Sequence, residues 1–193
     1  MTATLGACKT RLVSDSKTLV VMRHSKAEQS GPSDFERQLT DRGVVDATEA
    51  GQWLANRGIE PDQALVSASV RTLQTWESVN EGGGWDLEAT PEQALYDAGT
   101  ESALDLIRST DEAMRTLVVV GHNPTMATLA ALLDDGQGDE EASTEVAIGF
   151  PTSALAVFSY DGDWEDLDEA SARRGRRPRW RSPRRGPPSR RRS

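Results

Sequence analysis

Short apolar runs alternate along the chain with longer amphipathic stretches. Thr18–Met22 (TLVVM) and Thr116–Val120 (TLVVV) are continuous β-branched runs, the pattern of strands buried on both faces. Ala64–Val66 is a shorter run of the same kind, and Ala154–Tyr160 is a late one. Between them the period lengthens. Thr40 caps a predicted helix with Val44, Ala47, Gly51 and Leu54 on one face, closed by Gly58 and Pro61. Ser69 caps a second over Val70–Val79, which Gly82, Gly83 and Gly84 are expected to end. A short helix is expected from about Ser102 to Arg108. Asn123 and Pro124 supply a cap and an N1 proline for a fourth, with Met126, Leu129, Ala130 and Leu133 on one side. Ser25–Gln38 and Asp134–Glu145 are polar and are expected as loops, and Trp53, Trp76, Trp85 and Trp164 as packing residues. Strand alternating with helix, without internal repeat, predicts an α/β sandwich: a mostly parallel sheet flanked by helices.

The 193 residues suit one compact domain with an ordinary apolar core. A single cysteine, Cys8, makes an internal disulfide framework impossible and fits a reducing cytoplasm. No apolar run approaches the ~20 residues that span a bilayer, and no signal sequence or membrane partner is expected. We expect a flexible extension over residues 1–16, a folded domain over 17–170 and a disordered tail over 171–193.

Charge divides the chain more sharply than hydropathy does. The 22 basic and 31 acidic side chains give −9 overall. Residues 173–193 hold 11 Arg and no acid, which leaves 11 basic against 31 acidic residues in 1–172, or −20. Such a tail repels itself and has no aliphatic residues for a core. Two readings stand: an electrostatic arm for nucleic acid, anionic lipid or the chain's own acidic surface, or a composition that GC-rich codons give when read out of frame. Nucleic acid is otherwise not expected as a partner.

In open α/β sheets ligands bind beyond the carboxyl ends of the strands, and the unusual residues of this chain fall there. Arg23 and His24 follow the first strand, Arg71 lies in the first turn of the helix after the second, and His122 follows TLVVV. These are the only two histidines, both beside arginines or at equivalent strand ends. Two guanidinium forks bind phosphoryl oxygens through charge-assisted bonds, and nearby helix amides add donors. A neutral imidazole in such a pocket can attack phosphorus without a separate base. Two histidines without a third ligand at matching spacing make a poor zinc set, so metal binding is the weaker alternative; no cofactor is expected. Asp34, Arg37 and Arg42 either rim the pocket or form ion pairs that fix the loop, and Ser67 and Thr72 either hold Arg71 or are ordinary cap and turn residues.

Five ordered motifs, VVMRHSKAE, RQLTDRG, LVSASVRTLQT, LYDAG and VVGHNPTM, lie between Val20 and Met126, in a match that runs from about Lys17 to Tyr160. With them the chain resembles the histidine phosphatase superfamily, and closely its SixA-type phosphohistidine phosphatases. The resemblance implies a phosphoglycerate mutase-like three-layer sandwich and a metal-independent hydrolase. It implies that His24 becomes phosphorylated, that Arg23 and Arg71 bind the phosphoryl oxygens, and that His122 donates to the phosphoryl group in the transition state. Where the family has RHG this chain has Arg23-His24-Ser25, which puts the pocket's detailed geometry in question. Larger members carry a Glu acid in L-x-E. Here the stretch is Leu95-Tyr96-Asp97, so Asp97 is the candidate proton donor, or else a solvated turn aspartate. An imidazole leaves far more readily than an alkoxide, so a weak acid position favours phosphoramidates. No polar insertion longer than about a dozen residues offers a lid, which suits a phosphorylated side chain on another protein. The expected activity is therefore removal of phosphate from phosphohistidine on a protein; the alternatives are a phosphomonoesterase for small metabolites or nucleotides and a phosphate-sensing binding protein.

Overall fold

A computed structural model describes residues 16–97, 99–136 and 149–174. Six strands form one sheet in the order β3-β2-β4-β1-β5-β6: β1 (Lys17–Arg23), β2 (Gln63–Ser67), β3 (Thr90–Glu92), β4 (Thr116–Gly121), β5 (Leu155–Tyr160) and β6 (Arg173–Arg174). The pairs β1–β4, β4–β2 and β2–β3 are parallel, and β5 and β6 add antiparallel pairings at one side. Burial on both faces explains why β1 and β4 lack polar alternation. Val20 and Met22 of β1 pack with α1 (Asp41–Ala55) and α2 (Val70–Gly83), while Leu19 and Val21 pack on the opposite face with α3 (Thr100–Arg108) and α4 (Thr125–Leu132). Helix, sheet and helix make the three-layer α/β sandwich.

Thr40 caps α1 as expected, its hydroxyl accepting from the Gly43 amide at 3.1 Å. The inward face differs from the expected one by a small rotation. Gly43, Ala47, Ala50, Gly51 and Leu54 are buried, whereas Val44 is exposed. Close approach decides this. A Cβ on Gly51 would stand 2.0 Å from the Val79 carbonyl oxygen, and one on Gly82 would stand 2.1 Å from that of Thr48. Helix α2 therefore runs through Gly82 and Gly83, and the left-handed Gly84 ends it. Ser69 takes the N-cap position of this helix as expected, but its hydroxyl accepts from no helix amide and instead meets that of Thr72 at 2.7 Å. Asn123 does not cap α4. Its side-chain amide donates to the Phe150 carbonyl at 2.8 Å, and Pro124, reached through a cis peptide bond, takes the N-cap position.

Trp76 and Trp164 are buried, and Trp76 stacks on Trp85, in line with packing roles. Strand β6 lies inside the segment expected as tail. Ala172 is fully buried and its backbone is hydrogen-bonded to Leu133 and Asp135, which carries the fold through Arg174. Residues 1–15, most of the 134–145 loop and the tail from 175 onward lie outside the described residues. Among the described residues no helix is long and apolar enough to cross a membrane.

Candidate active site

The topology brings the chosen residues together. From β1 the chain crosses beyond β4 to β2, moves out to β3, and returns to place β4 between β2 and β1. Arg23 of β1 is in register with Gly121 of β4, so His24 and His122 leave neighbouring parallel strands at the same level. Their rings lie 5.1 Å apart between centroids. Arg71, in the first turn of α2, reaches the same point. A cavity of about 410 Å³ is lined by Arg23, His24, Arg71, His122 and Asp97. All five predicted site residues thus share one space, with Asp34, Arg37 and Tyr96 on its wall.

His24 is held from behind. Its amide donates to the Gly121 carbonyl at 2.9 Å, and its ring Nδ1 lies 2.7 Å from the Ser25 carbonyl oxygen. A carbonyl only accepts, so Nδ1 carries the proton and Nε2 keeps the lone pair. Burial, opposed by the Ser25 contact and helped by Arg71, Arg23 and Arg37, lowers the His24 pKa to about 4. His122 is lowered further, to about 3, by burial and then by His24 and Arg71, with Asp34 opposing. Both imidazoles are neutral at pH 7. His122 Nε2 lies 2.8 Å from the Ser67 hydroxyl, which can donate or accept, and Nδ1 lies 3.4 Å from Arg71 Nη2.

Arg23 donates to the Phe150 carbonyl at 3.0 Å, while its buried Nε has no hydrogen-bond partner among the described residues. Burial lowers its pKa, the response of a cation short of counter-charge. The site thus offers guanidinium donors and a neutral ring nitrogen side by side. This is a site for an anion with an electrophilic centre. Among the described residues no group of three or more His, Cys, Asp or Glu is arranged to hold a metal ion.

Known proteins carry the same pattern. Residues 19–99 match the model of the histidine phosphatase superfamily, branch 1. Phosphohistidine phosphatase SixA of Escherichia coli strain K12 is 31% identical over 144 residues, covering 73% of this chain and 84% of that protein. The chain belongs to the histidine phosphatase superfamily. Within it, the chain is of the SixA type. A structure from Nakamurella multipartitia, described provisionally as phosphohistidine phosphatase SixA, superimposes with a TM-score of 0.74 at 32% identity, over 86% of this chain and 96% of that one. A protein histidine phosphatase SixA complexed with tungstate superimposes with a TM-score of 0.64 at 25% identity, covering 78% and 91%. The chain is thus a phosphatase with the phosphoglycerate mutase-like fold.

Several residues of this histidine phosphatase site had weaker signals in the sequence. Asp34 and Arg37 combine both roles open to them: they line the cavity and pair at 2.8 Å. Arg42 instead pairs with Asp46 on α1. Ser67 supports His122 rather than Arg71, and Thr72 donates to the Ser67 carbonyl at 2.6 Å. Ser25, where the family has glycine, is accommodated by a second loop. Its amide donates to Thr75 Oγ1 at 3.0 Å, and its hydroxyl accepts from Ser153, which sits in the left-handed region at φ 63 and whose amide bonds the His24 carbonyl. Tyr96 and Phe150 carried no signal: one was a spacer between Leu95 and Asp97, and the other contributes only its backbone.

Proposed function

We propose that this chain removes phosphate from phosphohistidine on a partner protein through a covalent phospho-His24 intermediate. The observation that carries the reading is the state of His24, a buried neutral imidazole whose Nδ1 is committed to Ser25 and whose Nε2 lone pair is free. In the first step Nε2 attacks phosphorus while the P–N bond of the substrate breaks, and the substrate imidazole leaves with a proton. Water then attacks phosphorus on phospho-His24, releasing inorganic phosphate and restoring the imidazole.

Arg23 and Arg71 take the non-bridging oxygens, and a phosphoryl oxygen at Arg23 Nε gives that buried donor its partner. Once a phosphoryl oxygen takes Arg71 Nη2 from His122 Nδ1 and the Ser67 hydroxyl turns to donate to Nε2, His122 offers Nδ1–H to the phosphoryl group as charge grows. Asp97, exposed at the cavity wall, is the proton donor in this scheme. Its modest placement is enough for an imidazole leaving group, whose conjugate acid has a pKa near 6.5. The names of the SixA relatives support the phosphohistidine substrate. The single cysteine supports a cytoplasmic setting.

Turnover of a phosphohistidine peptide compared with sugar phosphates and p-nitrophenyl phosphate tests the substrate class. The expected result is a higher kcat/KM for the peptide. Preference for alkyl phosphates would transfer the chain to the small-metabolite phosphomonoesterases, and absence of turnover on all donors, with phosphate still bound, would make it a phosphate-binding protein.

A further inference from the structure

The arginine assigned to the substrate's oxygens is already engaged by an anion of the chain itself. Arg71 Nη1 donates to the backbone carbonyl of Asp34 at 2.5 Å, and Nη2 meets Asp34 Oδ2 at 3.0 Å and His122 Nδ1 at 3.4 Å. The same carboxylate accepts from Tyr96 at 2.8 Å through Oδ2 and from Arg37 Nη1 at 2.8 Å through Oδ1. Its two anionic oxygens bridge two guanidinium groups and occupy donors that oxygens of a phosphate would use. An Nη nitrogen has two hydrogens, and both of those on Nη2 have partners. A phosphoryl oxygen reaching Nη2 must therefore replace Asp34 or His122.

We propose that the Asp34 carboxylate is a resident competitor for phosphate on Arg71, and that it sets the discrimination between a phosphoryl group carried by a protein and free inorganic phosphate. This rests on Arg71 being a phosphoryl ligand. A protein substrate brings contacts beyond the phosphoryl group that offset displacement of the carboxylate, whereas inorganic phosphate has only its own oxygens. Free phosphate thus binds with its affinity reduced by the fraction of molecules in which Asp34 has let go. Asp34 is more than half exposed, so the competition is moderate and reversible.

Calorimetric titration of the full chain with inorganic phosphate at fixed pH and ionic strength tests the proposal. Asp34→Asn keeps the shape and removes the charge; it should bind phosphate about fivefold more tightly, the scale of a partly exposed ion pair. Tyr96→Phe, which takes one donor from the carboxylate, should shift the affinity in the same direction by less, and it carries the test if the asparagine variant does not fold. Phosphate inhibition of turnover should strengthen in both while KM for a phosphohistidine peptide changes less. Weaker or unchanged phosphate binding in these variants overturns the competitor role. Arg71→Ala, measured in parallel, separates the two readings: unaltered phosphate affinity there means the Arg71 assignment has failed, whereas weaker binding there with no tightening in Asp34→Asn removes the competitor alone.

Discussion

A histidine is a good nucleophile only while neutral, and His24 owes that state to its surroundings. Taking its ring out of water and facing it with guanidinium groups both disfavour the imidazolium, which moves the proton's departure from near 6.5 down to about 4. A lowered pKa means the deprotonated form persists to lower pH. For a substrate whose own ionisation is constant, kcat/KM should hold from pH 7 to about pH 5 and decline only toward the His24 value. An acid limb centred near 6.5 would contradict this assignment. At this scale the sequence was informative where residue chemistry was rare. Two histidines and two arginines at strand ends stand out in any pass along the chain. Asp34 does not, because one carboxylate among 31 acidic residues acquires meaning only when folding brings it to an arginine 37 positions away.

At the level of elements, glycines serve as spacers more than as stops. Of the three glycines expected to end α2, Gly84 does so, whereas the helix continues through Gly82 and Gly83, with α1 packed against its backbone at Gly82. Sequence patterns alone cannot separate a glycine that breaks a helix from one that admits a neighbour. The same ambiguity hid the inward rotation of α1, whose contact face contains Gly43 where Val44 was expected, while Gly51 faces inward as expected. Strand β3 went unpredicted for another reason: Thr90-Pro91-Glu92 is three residues long at a sheet edge, with a proline and no apolar run. The glycines allow a paired test. A Cβ at position 43 would meet the Lys26 carbonyl oxygen at 2.1 Å, and Lys26 lines the cavity that holds His24. Gly51→Ala should lower stability in urea by roughly 1–3 kcal/mol with little change in KM, whereas Gly43→Ala should lower stability and raise KM. Equal effects on KM would show that the α1 N-terminus does not position the site.

Over the whole molecule, the alternation of strand and helix was enough to indicate a largely parallel sheet, and a parallel sheet indicates which end carries the site. Strand order was not available from the sequence. Return of β4 to a place between β2 and β1 is what sets His122 beside His24, although 97 residues separate them along the chain. Although residues 1–172 carry a net −20, the pocket gathers four cationic side chains, Arg23, Lys26, Arg37 and Arg71, so positive charge for an anion is concentrated at the site. The central claim is that this convergence makes His24 a covalent phosphate carrier. Brief reaction with labelled phosphohistidine peptide, quenched and analysed for protein-bound phosphate, tests it most directly. Acid-labile, base-stable label on His24 in the wild type, absent from His24→Ala and still detectable in a His122→Ala variant slowed by about a hundredfold, is the predicted result. Label on any other residue, or turnover that survives His24→Ala, would contradict it.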